Sequence, residues 1–338
     1  MFKALAPRTD IAIDFGTDRT RLVQLSQNGL DASIDATAEF DDSPFAVSGS
    51  EITIEPSFVQ ALRRALKSGG FAGRRCALTI PCSSLLVDTA ELPSLAKDEL
   101  LQGAIWEAVD RFGLDRDALH LGTLQLGGGS RSGGATEHLL VGIRRQVAMA
   151  LTDCVARVGL EPSRIEAAPL AALRTAWRGM KMATAGGCFA VLHLEEGKAG
   201  LSIMSGAGLA FHRAFDWKPA SSGDSQAEWI PVEGEDPGTA RVFRWYGLAE
   251  ETLQCFRHVD RKLGGAWPSQ LVLTGPAATD PALTTALSSV CSVHALAVGL
   301  APGVMQGVLD PMAAPCTWSA ALGSALAGHA SASGRRAA

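Results

Sequence analysis

The feature that most restricts the fold of this 338-residue chain is that its two halves open alike. An apolar strand, a turn with glycine and further short strands before a helix occur at 11–25 and again from 189–204 onward. A chain that repeats such a unit builds two similar lobes, and internal duplication is the pattern to look for first. The length agrees, because 338 residues exceed what one ordinary hydrophobic core organises.

Hydrophobic periodicity supplies the elements between these openings. Ile11-Ala12-Ile13-Asp14-Phe15-Gly16 is an apolar run ended by an acid and a glycine, and 21–26 alternates before Asn28-Gly29, a hairpin-turn signal. The spacing predicts short β pieces over 31–54, a helix over 57–67, and strands at 75–80 and 85–92 that run into Pro81 and Pro93. A second helix is expected over 95–112, with Ser94 as its cap and Leu101, Ile105, Ala108 and Phe112 on one face. Strands at 119–126 and 137–143 flank a glycine-serine connection, and a helix over 146–158 stops at Gly159. In the second half, strands are expected at 189–194, 200–204, 209–215 and 270–273, helices at 248–263 and 318–326, and a polar loop at 221–238.

Composition removes several function classes. A net charge of -5 gives no basic field to hold nucleic acid. The 7 cysteines are scattered without a CxxC pair, which reads as buried thiols in a reducing compartment. Residues 1–10 lack the apolar core of a signal peptide. The weakly charged stretch 281–334 is broken by Thr284, Ser288, Gly299 and Pro302, so it reads as buried core, not as a membrane span.

Asp14-Phe15-Gly16-Thr17-Asp18-Arg19-Thr20 resembles the first phosphate loop of the actin, Hsp70 and sugar-kinase superfamily. Such a hairpin suits phosphate because glycine lets backbone N–H groups converge, Thr17 and Thr20 add hydroxyl donors, and Asp14 can hold hydrated Mg²⁺. The same letters open the Asp-Phe-Gly segment of protein kinases, but the other kinase signatures are missing. More specifically, the chain is similar to the PilM/MshI family of type IV pilus assembly proteins, an FtsA-like branch of that superfamily. The likeness rests on 11–25, then in order on Ala77-Leu78-Thr79-Ile80-Pro81 with Ala90-Glu91-Leu92-Pro93, on 139–145, on Val158-Gly159-Leu160-Glu161-Pro162 with 165–169, on 209–213 and on Leu271-Val272-Leu273-Thr274-Gly275. It spans about residues 9 to 326.

The resemblance implies an α/β, two-lobed actin-like fold of duplicated ribonuclease H type, with a strand-helix-strand-strand (SHS2-like) subdomain inserted in lobe one. The expected division is 9–75 with 159–185 for the core of lobe one, and 76–158 for the insert. Lobe two is expected at 186–223 with 296–328, its small subdomain at 224–295, and a disordered tail at 329–338. The resemblance also implies a cytoplasmic scaffold at the inner face of the inner membrane, holding the tail of a PilN-type membrane protein at the insert, with pilus inner-membrane platform components and a second copy of the chain as further expected partners. Partner-contact candidates are Leu85, Val87, Leu95, Leu100 and Ile105, each of which also reads as core. The competing function on this fold is an ATP-dependent small-molecule kinase, which needs a carboxylate base at the cleft, and no such acid stands out.

The family's cofactors are ATP and Mg²⁺, with Asp14, Gly16, Thr17, Asp18, Arg19, Thr20, Thr274 and Gly275 as the expected contacts and Asp14 on the metal side. Two departures leave a nucleotide-free protein as the other expectation, with hydrolysis weak or absent. The second loop reads His193-Leu194-Glu195-Glu196-Gly197-Lys198, placing histidine where an acid belongs, and Pro276 stands where the adenosine turn has a second glycine. His193 reads as a hydrogen-bonded core residue, Lys198 as a partial offset to Glu195 and Glu196, and Arg213 as either a packing cation or a phosphate clamp.

Overall fold

A computed structural model describes residues 7–28, 31–45, 52–127, 134–180, 187–206, 208–218, 244–265, 267–299, 304–305 and 314–334. Two copies of one topology make up most of it. In the first, β1 (Ile11–Phe15), β2 (Thr20–Asn28) and β3 (Asp31–Phe40) form an antiparallel meander. The helix α1 (Pro56–Ser68) then leads to β4 (Arg75–Ile80), parallel to β1, and α3 (Arg145–Arg157) leads to β8 (Glu161–Ala167), parallel to β4. In the second, β9 (Phe189–Glu195), β10 (Lys198–Ser205) and β11 (Gly208–Asp216) form the meander. There α5 (Tyr246–Leu263), β12 (Gln270–Thr274), α6 (Pro281–Cys291) and β13 (His294–Ala297) repeat the parallel half. The spatial orders β3-β2-β1-β4-β8 and β11-β10-β9-β12-β13 are the same order of roles.

The fold is therefore the two-lobed actin-like one. The central strands β1 and β9 are buried on both faces, which is why they read as unbroken apolar runs. The insert lies between β4 and α3 as β5 (Leu86–Pro93), α2 (Lys97–Phe112), β6 (Leu119–Gln125) and β7 (Ala135–Arg144), with sheet order β5-β7-β6. Along β7, alternation sends Leu140 into the core under α2 with Ala104 and Ala108. Leu139 goes the other way, into the core of lobe two.

The helix that ends each lobe packs on the other lobe. On α4 (Ala168–Met180), Leu173 and Ala176 join the core around Phe189, and Trp177 stacks on the Phe189 ring at 5.5 Å. On α7 (Ser319–Gly334), Ala321, Leu322, Ala325 and Leu326 cover Ala12, Val23 and Ile34 of lobe one. The two helices cross with a Cβ-free contact, since a methyl group on Gly323 would fall 1.8 Å from the Ala171 carbonyl oxygen. The short strand β14 (Val304–Met305) likewise extends the lobe-one sheet beside β3.

Several sequence expectations shift. The insert is narrower than 76–158, because β4 pairs with β1 in the lobe-one sheet and α3 contributes Val147, Leu151 and Val155 to the lobe-one core. The described part of 224–295 is lobe two's own sheet and helices, whereas 296–328 is divided, with 296–298 and Cys316 in lobe two and β14 and α7 against lobe one. Ser94 does not cap α2, which starts after Ala96. The β pieces expected over 31–54 are mainly one ten-residue strand. The connection over 128–133 and the loop over 221–238 lie outside the described residues.

Candidate functional site

The sequence expected a phosphate cradle where the β1–β2 and β9–β10 turns face each other. The structure builds a buried polar network there. Asp14, next to the last residue of β1, is 6% exposed and has no hydrogen-bond partner among the described residues. Arg21 stands directly across from it on β2 and Thr79 directly across on β4, both buried. Arg21 Nε and Thr79 Oγ1 are themselves without hydrogen-bond partners; the nearest carboxylate to that nitrogen is Glu39, at 3.6 Å. Burial pushes the Asp14 carboxyl up to about 6, against the pull of Arg21 and His193 and with a further push from Glu195 and Asp18.

From lobe two, His193 bonds Thr274 Oγ1 through Nδ1 at 2.9 Å and Glu195 Oε1 through Nε2 at 3.2 Å. It is a satisfied core histidine, in line with the structural reading of its sequence. Glu195 is the residue that sequence reasoning passed over. Its Oε2 accepts the Cys82 backbone N–H at 2.7 Å, so a lobe-two carboxylate seats on the first turn after β4 of lobe one. That bond spans 113 positions in sequence and closes the bottom of the cleft.

The remaining predicted contacts are committed elsewhere. Thr20 Oγ1 donates to the Asp42 carbonyl at 2.9 Å, and the Gly16 carbonyl accepts from Ser43 Oγ at 2.5 Å. Arg19 is tied to Asp18, Glu39 and Asp41, while Thr17 is buried. Lys198, expected beside the acids of its own turn, pairs instead with Asp216. Arg213 lies along α5 with Glu251 and Cys255, which is a packing role. Gly275 has φ +90, and a Cβ there would fall 2.1 Å from the Leu194 carbonyl oxygen, so this glycine serves the junction of β12 with β9.

This donor set does not fit a magnesium-bound triphosphate. The first N–H after β4 already holds an anion, Glu195, and a second carboxylate, Asp14, is buried nearby. Bringing in a polyanion would set like charges together at low dielectric, where each close pair costs several kcal/mol. Two orphaned donors, Arg21 Nε and Thr79 Oγ1, do not offset that.

The five partner-contact candidates do not converge. Leu85 lines a groove, Ile105 lines a separate small cavity, Leu100 packs from α2 onto the core of the insert, Val87 packs toward lobe two, and Leu95 is exposed. The groove at Leu85 is the substantial feature. It has a volume of ≈ 450 Å³ and runs between β6 of the insert (Leu121, Leu124) and β8 and α4 of lobe one (Ile165, Leu170). Because β7 is the middle strand of the insert sheet, β6 has one edge unpaired among the described residues, and residues 120–124 of that strand line the groove. At the far end Arg174 Nη1 donates to Glu166 Oε2 at 2.8 Å and to the Gly323 carbonyl at 2.7 Å.

No family model and no curated protein matches the chain. Among solved structures it is similar to a chain of a PilM-PilN type IV pilus biogenesis complex, with TM-score 0.76 and 16% identity over 95% of this chain and 98% of that one. It is also similar to a glycerol dehydratase reactivase, with TM-score 0.51 and 10% identity over 95% and 100% of the two chains. A more distant likeness is the cytoplasmic domain of EpsL, an inner membrane component of the Vibrio cholerae type II secretion system, with TM-score 0.45 and 13% identity over 95% of each chain. At these identities the likeness concerns the fold, and that to the PilM-PilN complex chain agrees with the duplicated sheet order in assigning this chain the actin-like architecture.

Proposed function

We propose that this protein is a cytoplasmic assembly platform of a type IV pilus or related secretion machine. It holds an extended tail of a PilN-type membrane protein in the groove beside β6 and carries a degenerate nucleotide cleft. The observation that carries this reading is the groove itself: a mainly apolar channel of ≈ 450 Å³ walled on one side by β6, an edge strand among the described residues. An extended peptide gains affinity by pairing with such an edge and specificity by placing alternate side chains into the apolar floor.

The closed cleft supports the second half of the proposal. A kinase needs an acid poised over an intact phosphate cradle, and here the acids are Asp14, facing Arg21, and Glu195, bonded to Cys82. No helix among the described residues is long and apolar enough to cross a membrane. Attachment to the inner membrane would therefore run through the bound partner.

The test is a pair of titrations on the purified protein, one with a synthetic cytoplasmic-tail peptide of the PilN-type protein and one with Mg-ATP. Saturable peptide binding, lost in Leu121→Asp, is expected, with no nucleotide turnover. ATP turnover without peptide binding overturns the proposal.

A further inference from the structure

We propose that the docking groove continues past lobe one, so that the bound tail leaves the β6 edge at Leu124 and runs on across the second lobe. The inference rests on the platform reading above and adds where the rest of the tail goes. A second cavity of ≈ 670 Å³ adjoins the first, and the two share Leu124, Leu170 and Arg174 in their walls. Beyond that junction its walls come from α4 (Leu173, Trp177) and from the β10–β11 hairpin (Met204, Leu209). The two walls are joined, because the Gly127 N–H after β6 donates to the Leu209 carbonyl of β11 at 2.7 Å.

The occupant follows from these walls. Both cavities fall within the ordinary size range of ligand sites, and both are lined mainly by aliphatic and aromatic carbon. From Leu119 to Leu124, where the tail departs, β6 offers about six residues of edge, about 20 Å at ~3.3 Å per residue, before the second cavity begins. The polar anchor is Arg174 at the junction, whose two hydrogen bonds both use Nη1, leaving Nε and Nη2 without partners among the described residues. A guanidinium presents these donors as a fork that matches a carboxylate or amide side chain. The tail is therefore an extended segment with apolar side chains on both sides of one central Asp, Glu or Asn. About four further residues lie on Trp177, Met204 and Leu209.

The experiment uses a fourteen-residue cytoplasmic-tail peptide of the PilN-type protein, its two halves, and versions of the full peptide carrying a photo-reactive benzophenone at successive positions. Photolysis followed by peptide mapping is expected to give adducts on 121–124 from one end of the peptide and on Met204 or Leu209 from the other. Either half is expected to bind at least tenfold more weakly than the whole. Gln125→Trp, a bulky change at an exposed position of the second cavity, is expected to weaken the whole peptide about tenfold while leaving the half that labels 121–124 unaffected. If adducts stay on 121–124 and one half retains full affinity, the extension is wrong and the lobe-one groove stands. If neither the whole peptide nor a half binds saturably, both proposals fall.

Discussion

Replacing Asp14 by Asn should stabilise this protein at neutral pH, although Asp14 stands where the sequence resemblance would put the metal-side acid. The carboxyl is buried, has no hydrogen-bond partner among the described residues, and is pushed up to about 6 from an ordinary 3.8. An acid whose pKa rises on folding binds its proton more tightly in the folded state. The penalty is thus absent below pH 3.8, builds through the interval up to 6, and is complete above it. Its size is about 3 kcal/mol, at ~1.4 kcal/mol for each pH unit between the two values. Asn keeps the shape and neutrality of the protonated acid beside Arg21, Thr79, His193 and Glu195, so it removes the penalty without opening space. For a chain of this length that is a rise of about 4 °C in Tm at pH 7.5, shrinking to nothing near pH 4. Thermal melts of both proteins across pH 4 to 8 measure it. A Tm difference that does not change with pH, or one that favours wild type more strongly at pH 7.5 than at pH 4, refutes the reasoning. Saturating Mg-ATP raising the wild-type Tm at pH 7.5 would show instead that a ligand relieves the charge.

Three further outcomes are expected. His212, buried and bonded to Ser202 at 2.8 Å, is lowered by burial to about 4. The stability of the neutral ring is therefore fully present above its ordinary 6.5 and is lost as pH falls toward 4; His212→Gln should flatten that acid limb in the same melts. Glu195→Ala strips the acceptor from the Cys82 N–H and one partner from His193, and should cost about 2 kcal/mol in denaturant unfolding while loosening the lobes in small-angle scattering. Gly323→Ala puts a methyl 1.8 Å from the Ala171 carbonyl oxygen and should cost more than about 3 kcal/mol, read as a large drop in the denaturation midpoint.

The parts of this molecule legible in the sequence are those whose cause is local. Two-sided burial wrote β1 and β9 as apolar runs, and alternation with helical spacing located most of the other strands and helices. The β1–β2 hairpin around Gly16 was legible for the same reason, whereas its reading as a phosphate loop came from family resemblance. What the sequence hid depends on contacts between distant positions. Glu195 reads as one of two acids in a turn, and only the approach of Cys82, 113 positions away, makes it a closure of the cleft. The strand over 119–126 was legible, but its free edge follows from β7 taking the middle of the sheet, which no periodicity encodes. The five apolar partner candidates were chosen by residue type within the insert and so scattered over several environments.

The exchange of terminal helices bears on how such a platform would respond to its partner. α4 is covalently the end of lobe one but packs on lobe two, and α7 does the reverse, with Gly323 letting the two backbones touch. Each lobe's core is thus completed by a helix from the other, and the α4–α7 crossing ties the two lobes together. Arg174 sits on α4 at that crossing, bonded to the Gly323 carbonyl on one side and facing the groove junction on the other. A tail side chain that engages Arg174 therefore acts on the element that sets the angle between the lobes. By linkage, any constraint on the angle must change the affinity for the tail by the factor the tail imposes on the angle. Loosening the lobes through Glu195→Ala should accordingly weaken tail binding without touching a single groove residue. Unchanged affinity in that variant would mean that the crossing transmits nothing.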